Sequence, residues 1–194
     1  MARIKSALEI ALERTNSVKS DKESINQYEL KQQGKKLANQ YLENPAESLA
    51  SGIAKYSKEE QETLRQGIFD ILVSQITLPA AKEDLARIEA VGKGLGEIIN
   101  RSEFSELYGQ LVQALSQYIQ ETEQFEKMIT QQYAPKLRQK EEELSRRMGR
   151  QVKIDPFQDP EFINFYNQNM GLLRDRYQAA VDQVREEAVN FFSK

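Results

Sequence analysis

The chain has 194 residues, enough to bury a core without staples, and it contains neither cysteine nor histidine. Disulfides, thiolate metal sites, histidine-based triads, the common zinc sites and the Glu-x-x-His di-iron arrangement are therefore excluded, and a reducing compartment fits. The net charge of −3 is unevenly spread: residues 1–36 carry 8 basic and 5 acidic side chains, 37–135 carry 8 and 15, 136–153 carry 7 and 3, and 154–194 carry 4 and 7. So acidic a middle argues against a general affinity for nucleic acid.

Residues 2–15 read as an amphipathic helix with Ile4, Ala7, Leu8, Ala11 and Leu12 on one face. Charge lies within this apolar part, so it lacks a signal-peptide core, and no run in the chain is long and apolar enough to span a membrane. A cytoplasmic protein is expected. Thr15 to Ser24 is polar and weakly periodic and reads as a tether. The helix before it can pack back on the body or lay its Ile4, Leu8 and Leu12 face into a partner's groove. The opening stretch Ala2-Arg3-Ile4-Lys5-Ser6-Ala7-Leu8-Glu9-Ile10-Ala11-Leu12-Glu13 resembles the starts of uncharacterised bacterial helical proteins. The resemblance covers these residues alone and implies no activity.

A second helix is expected over residues 24–43, with Ile25, Tyr28, Leu37, Tyr41 and Leu42 apolar and Gly34 weakening its middle. Asn44-Pro45 supplies a cap and a first-turn proline for a short helix through Lys55. Ser57-Lys58-Glu59-Glu60 is a capping box, so another helix starts at Lys58. That helix is the most apolar of the chain and belongs at the centre of a bundle; Asp70, on its narrow polar strip, reads as a solvated carboxylate. Pro79 stops it, and a helix over residues 80–100 follows. Within that helix Val91-Gly92-Lys93-Gly94-Leu95-Gly96 matches neither phosphate-loop spacing, which leaves close helix packing or a break between two short helices.

From Ser102 to Met148 apolar residues recur at Phe104, Tyr108, Leu111, Leu115, Tyr118, Phe125 and Ile129, which predicts a helix on the order of 70 Å long. Leu107, Val112, Ala114, Ile119, Met128 and Tyr133 widen the apolar surface beyond a two-helix seam, and Gln110, Gln113, Gln117, Gln120, Gln124 and Gln131 form a polar, uncharged back. Pro135 predicts a kink, with a thinner and more exposed arm beyond it. Arg146, Arg147, Arg150 and Lys153 cluster around Gly149, before a proline-rich loop whose Asp159-Pro160-Glu161 begins a last helix to Phe192. Two long helices joined by a loop make an antiparallel hairpin with these cations at its tip. Calcium binding by Asp155, Asp159 and Glu161 is not expected, because the prolines break an EF-hand pattern.

The expected fold is all-α: an elongated helical bundle with a long antiparallel hairpin and an N-terminal amphipathic helix. Residues 1–23 would be the helix and tether, 24–133 the body and 134–194 the hairpin arm packing back on it, a single domain overall. The expected function is a non-enzymatic adaptor, assembly factor or complex subunit presenting helix faces to protein partners, a second copy among them. Its contacts would be Ile4, Leu8, Leu12, Arg146, Arg147, Arg150 and Lys153. Neither catalytic residue, cofactor nor metal is expected. Other readings are a chaperone-like clamp and an enzyme using carboxylates in place of histidine and cysteine.

Overall fold

The computed structural model describes residues 7–193, with side chains described from residue 23 onward. Among the described residues the fold is all-α and without strands: α1 (Ala7–Glu43), α2 (Leu49–Ile53), α3 (Lys58–Ser74), α4 (Asp84–Ile99), α5 (Ser102–Met148), a 3-10 turn (Pro156–Gln158) and α6 (Pro160–Phe192). None of these helices is long and apolar enough to cross a membrane. The chain divides into two compact units, one of Met1–Gln75 and Ala90–Arg101, the other of Ile76–Glu89 and Ser102–Lys194.

In the first unit the stretch expected as a tether is part of α1, which runs unbroken from Ala7 to Glu43. The reason lies in composition: residues 15–33 hold polar side chains but neither glycine nor proline, so nothing in them stops a helix. α1 packs on α3, and glycine sets the distance. A Cβ on Gly34 would overlap the carbonyl oxygen of Leu64 and lie 3.1 Å from the Cα of Gly67, while one on Gly67 would overlap the carbonyl oxygen of Lys31. Two backbones thus meet where side chains would hold them apart. Beside the crossing Lys31 pairs with Asp70 at 2.8 Å, and the Gln66 side chain donates to Asp70 at 2.9 Å. Asp70 is therefore a tied carboxylate: burial raises its pKa, but the Lys31 and Gln66 hydrogen bonds and the charges of Lys31 and Lys35 outweigh that and lower it.

α2 opens at Ser48, whose side chain accepts from the Ala50 N–H, later than the Asn44-Pro45 start expected. Asn44 instead donates its side-chain amide to Glu47 at 3.2 Å, a local bond that competes with capping. α3 does begin at Lys58, with the Ser57 N–H donating to the Glu60 carboxylate at 2.9 Å. α4 starts at Asp84 rather than Ala80, because the Asp84 carboxylate takes the Ala80 and Ala81 N–H groups at 2.8 and 3.0 Å and closes a turn before the helix. Its glycines do not break it. A Cβ on Gly94 would come within 2.8 Å of the Tyr41 ring and 3.0 Å of Leu72, so close packing explains that residue. Residues 90–99 seal the first unit through Tyr41, whose hydroxyl donates to the Ala90 carbonyl at 2.9 Å, and Ser48, whose hydroxyl donates to Glu97 at 2.8 Å. Asn100 ends α4 in the left-handed region at φ 53, a conformation asparagine tolerates.

The second unit is built on the antiparallel hairpin of α5 and α6. Its register is written in cross-helix pairs: Phe104 with Phe191, Tyr118 with Tyr177, Glu121 with Arg176, Glu126 with Tyr166 and Tyr133 with Phe162. As the first number climbs the second falls. Phe104, Leu115, Val181 and Phe162 are fully buried along this seam, and Tyr108 donates its hydroxyl to the Ile88 carbonyl at 2.9 Å. The glutamine back of α5 is exposed along its length. α5 continues through Pro135, which lacks the N–H that the Gln131 carbonyl would otherwise accept. Packing does not thin at the proline: Ile129, Tyr133 and Phe162 form a buried cluster joined by Leu137, Phe165 and Met170. Beyond the proline, large apolar side chains of α5 are exposed at Leu144 and Met148.

Gly34→Ala and Gly67→Ala should each destabilise the protein by about 1–3 kcal/mol or more through overpacking. Gly109→Ala, whose Cβ would meet nothing within 4 Å, should stabilise by about 0.5–1 kcal/mol. Denaturant melts followed by circular dichroism check the contrast; shifts of the same sign in Gly34→Ala and Gly109→Ala would contradict the close crossing.

Candidate functional site at the hairpin end

The end of the hairpin carries a cluster of interlocked charges and, beyond it, the cations singled out in the sequence. Asp159 occupies the N-cap of α6, directly before Pro160, and accepts the Glu161 N–H at 3.1 Å. Only 6% of it is exposed. A carboxylate buried to that degree requires partners, and α5 provides them. The Tyr133 hydroxyl donates to it at 3.0 Å, and Lys140 donates to both of its oxygens at 2.9 and 2.7 Å. Lys140 also reaches Glu161 at 3.1 Å, and Lys136 pairs with Glu161 at 2.7 Å.

These contacts set the acidities. The Lys140 hydrogen bond, helped by those of Tyr133 and the Glu161 N–H, holds the Asp159 carboxyl below its usual value against the opposing effect of burial. Hydrogen bonds from Lys136 and Lys140 lower Glu161, and the Asp159 and Glu161 carboxylates raise Lys140. Burial, reinforced by the bond to Asp159, raises the Tyr133 phenol. Every shift favours the form already present near neutrality, so the cluster resists exchanging protons and acts as a clamp on the hairpin. A general base needs an acidity moved toward the working pH, the opposite direction.

Past the clamp, Arg146 and Arg147 lie in the last turn of α5, Gly149 turns the chain at φ 64, and Arg150 and Lys153 follow in the loop. All four cations are exposed. Arg146 pairs with Glu142 at 3.6 Å and Lys153 with Glu141 at 3.5 Å, while Glu141 also accepts the Ile154 N–H at 3.0 Å and so fastens the loop to α5. Arg147 and Arg150 form no ion pair among the described residues. Lys140, Glu143, Leu144, Arg147, Ile154, Gln158, Asp159 and Pro160 line an open groove of about 350 Å³. A second groove of about 300 Å³ lies along the hairpin between Phe125, Met128, Leu172 and Leu173, with Leu172 74% exposed.

Of the expected contacts, Ile4 lies outside the described residues, and Leu8 and Leu12 lie on α1 but their side chains are outside the described set. Asp155, Asp159 and Glu161 do not converge as a metal site: Asp155 caps the 3-10 turn through the Phe157 N–H, and the other two are taken by lysines. Among the described residues no cluster of acidic side chains could hold a metal. Sequence reading missed Lys140 and Phe162. Lys140 follows Tyr133 by seven residues and so shares its helix face, a spacing that could have marked it as a partner for the Asp159 cap.

The model of a family of unknown function, DUF6657, matches residues 50–190. No curated protein and no solved structure matches the chain.

Asp159 and Glu161, lowered in the folded state, contribute stability that is present above the ordinary carboxylate range and is lost as pH falls through their folded values. Lys140 and Lys136, raised, contribute stability present below the ordinary lysine value and lost as pH rises through their folded ones. The clamp should hold fully from roughly pH 5 to pH 9. Asp159→Ala should lose about 1 kcal/mol for the cap alone and flatten the acid limb of stability against pH. Urea melts at a series of pH values check this; an unchanged acid limb would contradict it.

Proposed function

The chain belongs to the DUF6657 family, and we propose that it is a non-enzymatic interaction protein that presents helix faces to protein partners. The observation that supports this most is on α1. Residues 23–29 of that helix are all exposed, including Ile25 at 59% and Tyr28 at 65%. These two side chains lie three positions apart, so they share a face. Leaving large apolar groups largely in water forgoes about 1 kcal/mol or more for each compared with burying it, and this uncovered end of α1 regains part of that against a partner. An adaptor, assembly factor or complex subunit in the cytoplasm fits these features, with α1 as one contact and the basic hairpin end as another.

Replacing Ile25 and Tyr28 together by serine should leave the helical circular-dichroism signal nearly intact. Proteins recovered by the tagged full chain and quantified by mass spectrometry should then fall at least fivefold relative to wild type. Equal recovery of the same proteins by the variant would overturn the role assigned to α1.

A further inference from the structure

We infer that the groove along the hairpin, between α5 and α6, is where a second copy of this chain docks, the two copies meeting about a twofold axis. This rests on the reading of the chain as an interaction protein and names one of its partners. α6 covers the seam of α5 but leaves Met128 43% and Leu172 74% exposed beside an opening of about 300 Å³. Phe125 and the buried Leu173 line the same opening. One face thus bears an exposed leucine and an apolar hollow, the two halves of a knob-in-hole contact. A twofold axis brings the knob of each copy to the hollow of the other.

The charges on the lining point to the same partner. Glu121 and Arg176 stand there together, one acid and one base, paired with each other and each still substantially in water. A partner of either single sign meets a like charge at this place, which costs affinity. A second copy turned about a twofold axis presents arginine to glutamate and glutamate to arginine. An exposed ion pair contributes little by itself, so its members exchange partners at small cost. Gln124, the other polar group of the lining, belongs to a row with Gln117, Gln120 and Gln131, all exposed and placed four or seven residues from it. Their amides both donate and accept, so such a row matches a copy of itself. Two hairpins joined this way form a four-helix arrangement that covers the open side of each. The groove is small, which sets a reversible dimer in place of an obligate one.

The test is sedimentation velocity of the full chain over a range of concentrations, where a reversible dimer should form. Leu172→Ser should raise its dissociation constant at least tenfold and Met128→Ser at least threefold, both at exposed positions and with the helical circular-dichroism signal unchanged. Glu121→Arg makes both charged groups basic and Arg176→Glu makes both acidic, so each variant alone should self-associate at least fivefold more weakly than wild type. A one-to-one mixture of the two should associate at least fivefold more tightly than either alone. The serine variant of Ile25 and Tyr28 should dimerise as wild type does. A chain monomeric at every concentration, a dimer indifferent to Leu172→Ser, a charge-variant mixture no tighter than its components, or a dimer lost with Ile25 and Tyr28 would each overturn the inference. Recovery of other proteins through α1 is read separately, so failure of the dimer leaves that contact standing, and failure of that contact leaves the dimer.

Discussion

A buried carboxylate governs the hairpin unit. Asp159 must find donors or destabilise the fold, and its donors come from both helices: Tyr133 and Lys140 from α5, the Glu161 N–H from the first turn of α6. The two donors from α5 reach it only in one antiparallel register. Sliding α6 by a residue would strand the charge and separate Tyr133 from Phe162 in the cluster beneath it. The register in turn fixes which residues are left to turn the chain, and so where Arg147, Arg150, Leu144 and Ile154 stand.

The two units solve the approach of helices by opposite means. In the first, side chains are removed: Gly34 and Gly67 bring α1 and α3 into backbone contact, and Gly94 admits Tyr41 and Leu72. In the second, side chains are large and paired, with aromatic rings from α5 and α6 meeting from Phe104–Phe191 to Tyr133–Phe162. Glycine contacts tolerate no added volume, whereas interleaved rings specify register through shape and edge-to-face geometry. Each unit thus has one feature that a single substitution can disturb.

Much of this was legible in the sequence because the physics is local. The Ser57 capping box placed the start of α3, and the three-and-four spacing from Phe104 gave the long α5. Asp159-Pro160 marked the start of α6, and the cations were seen to fall at the turn. The errors came from treating polarity as an end to helix: residues 15–24 are hydrophilic yet carry no breaker, so α1 passes through them. Other losses were matters of partnership over distance. Gly34 read as a weak point until Gly67 appeared opposite it, and Lys140 read as one charge among many until α6 brought Asp159 to it. The open grooves depend on which apolar residues the neighbouring helix fails to cover, which periodicity alone does not record.

The clamp around Asp159 underlies the register of the hairpin, and its charge state is directly observable. A carboxyl carbon titration of Asp159 by NMR should give a midpoint below the usual aspartate value of about 3.9, rising toward it in Lys140→Met. A midpoint at or above that value in the wild-type protein, or one indifferent to the loss of Lys140, would contradict the account.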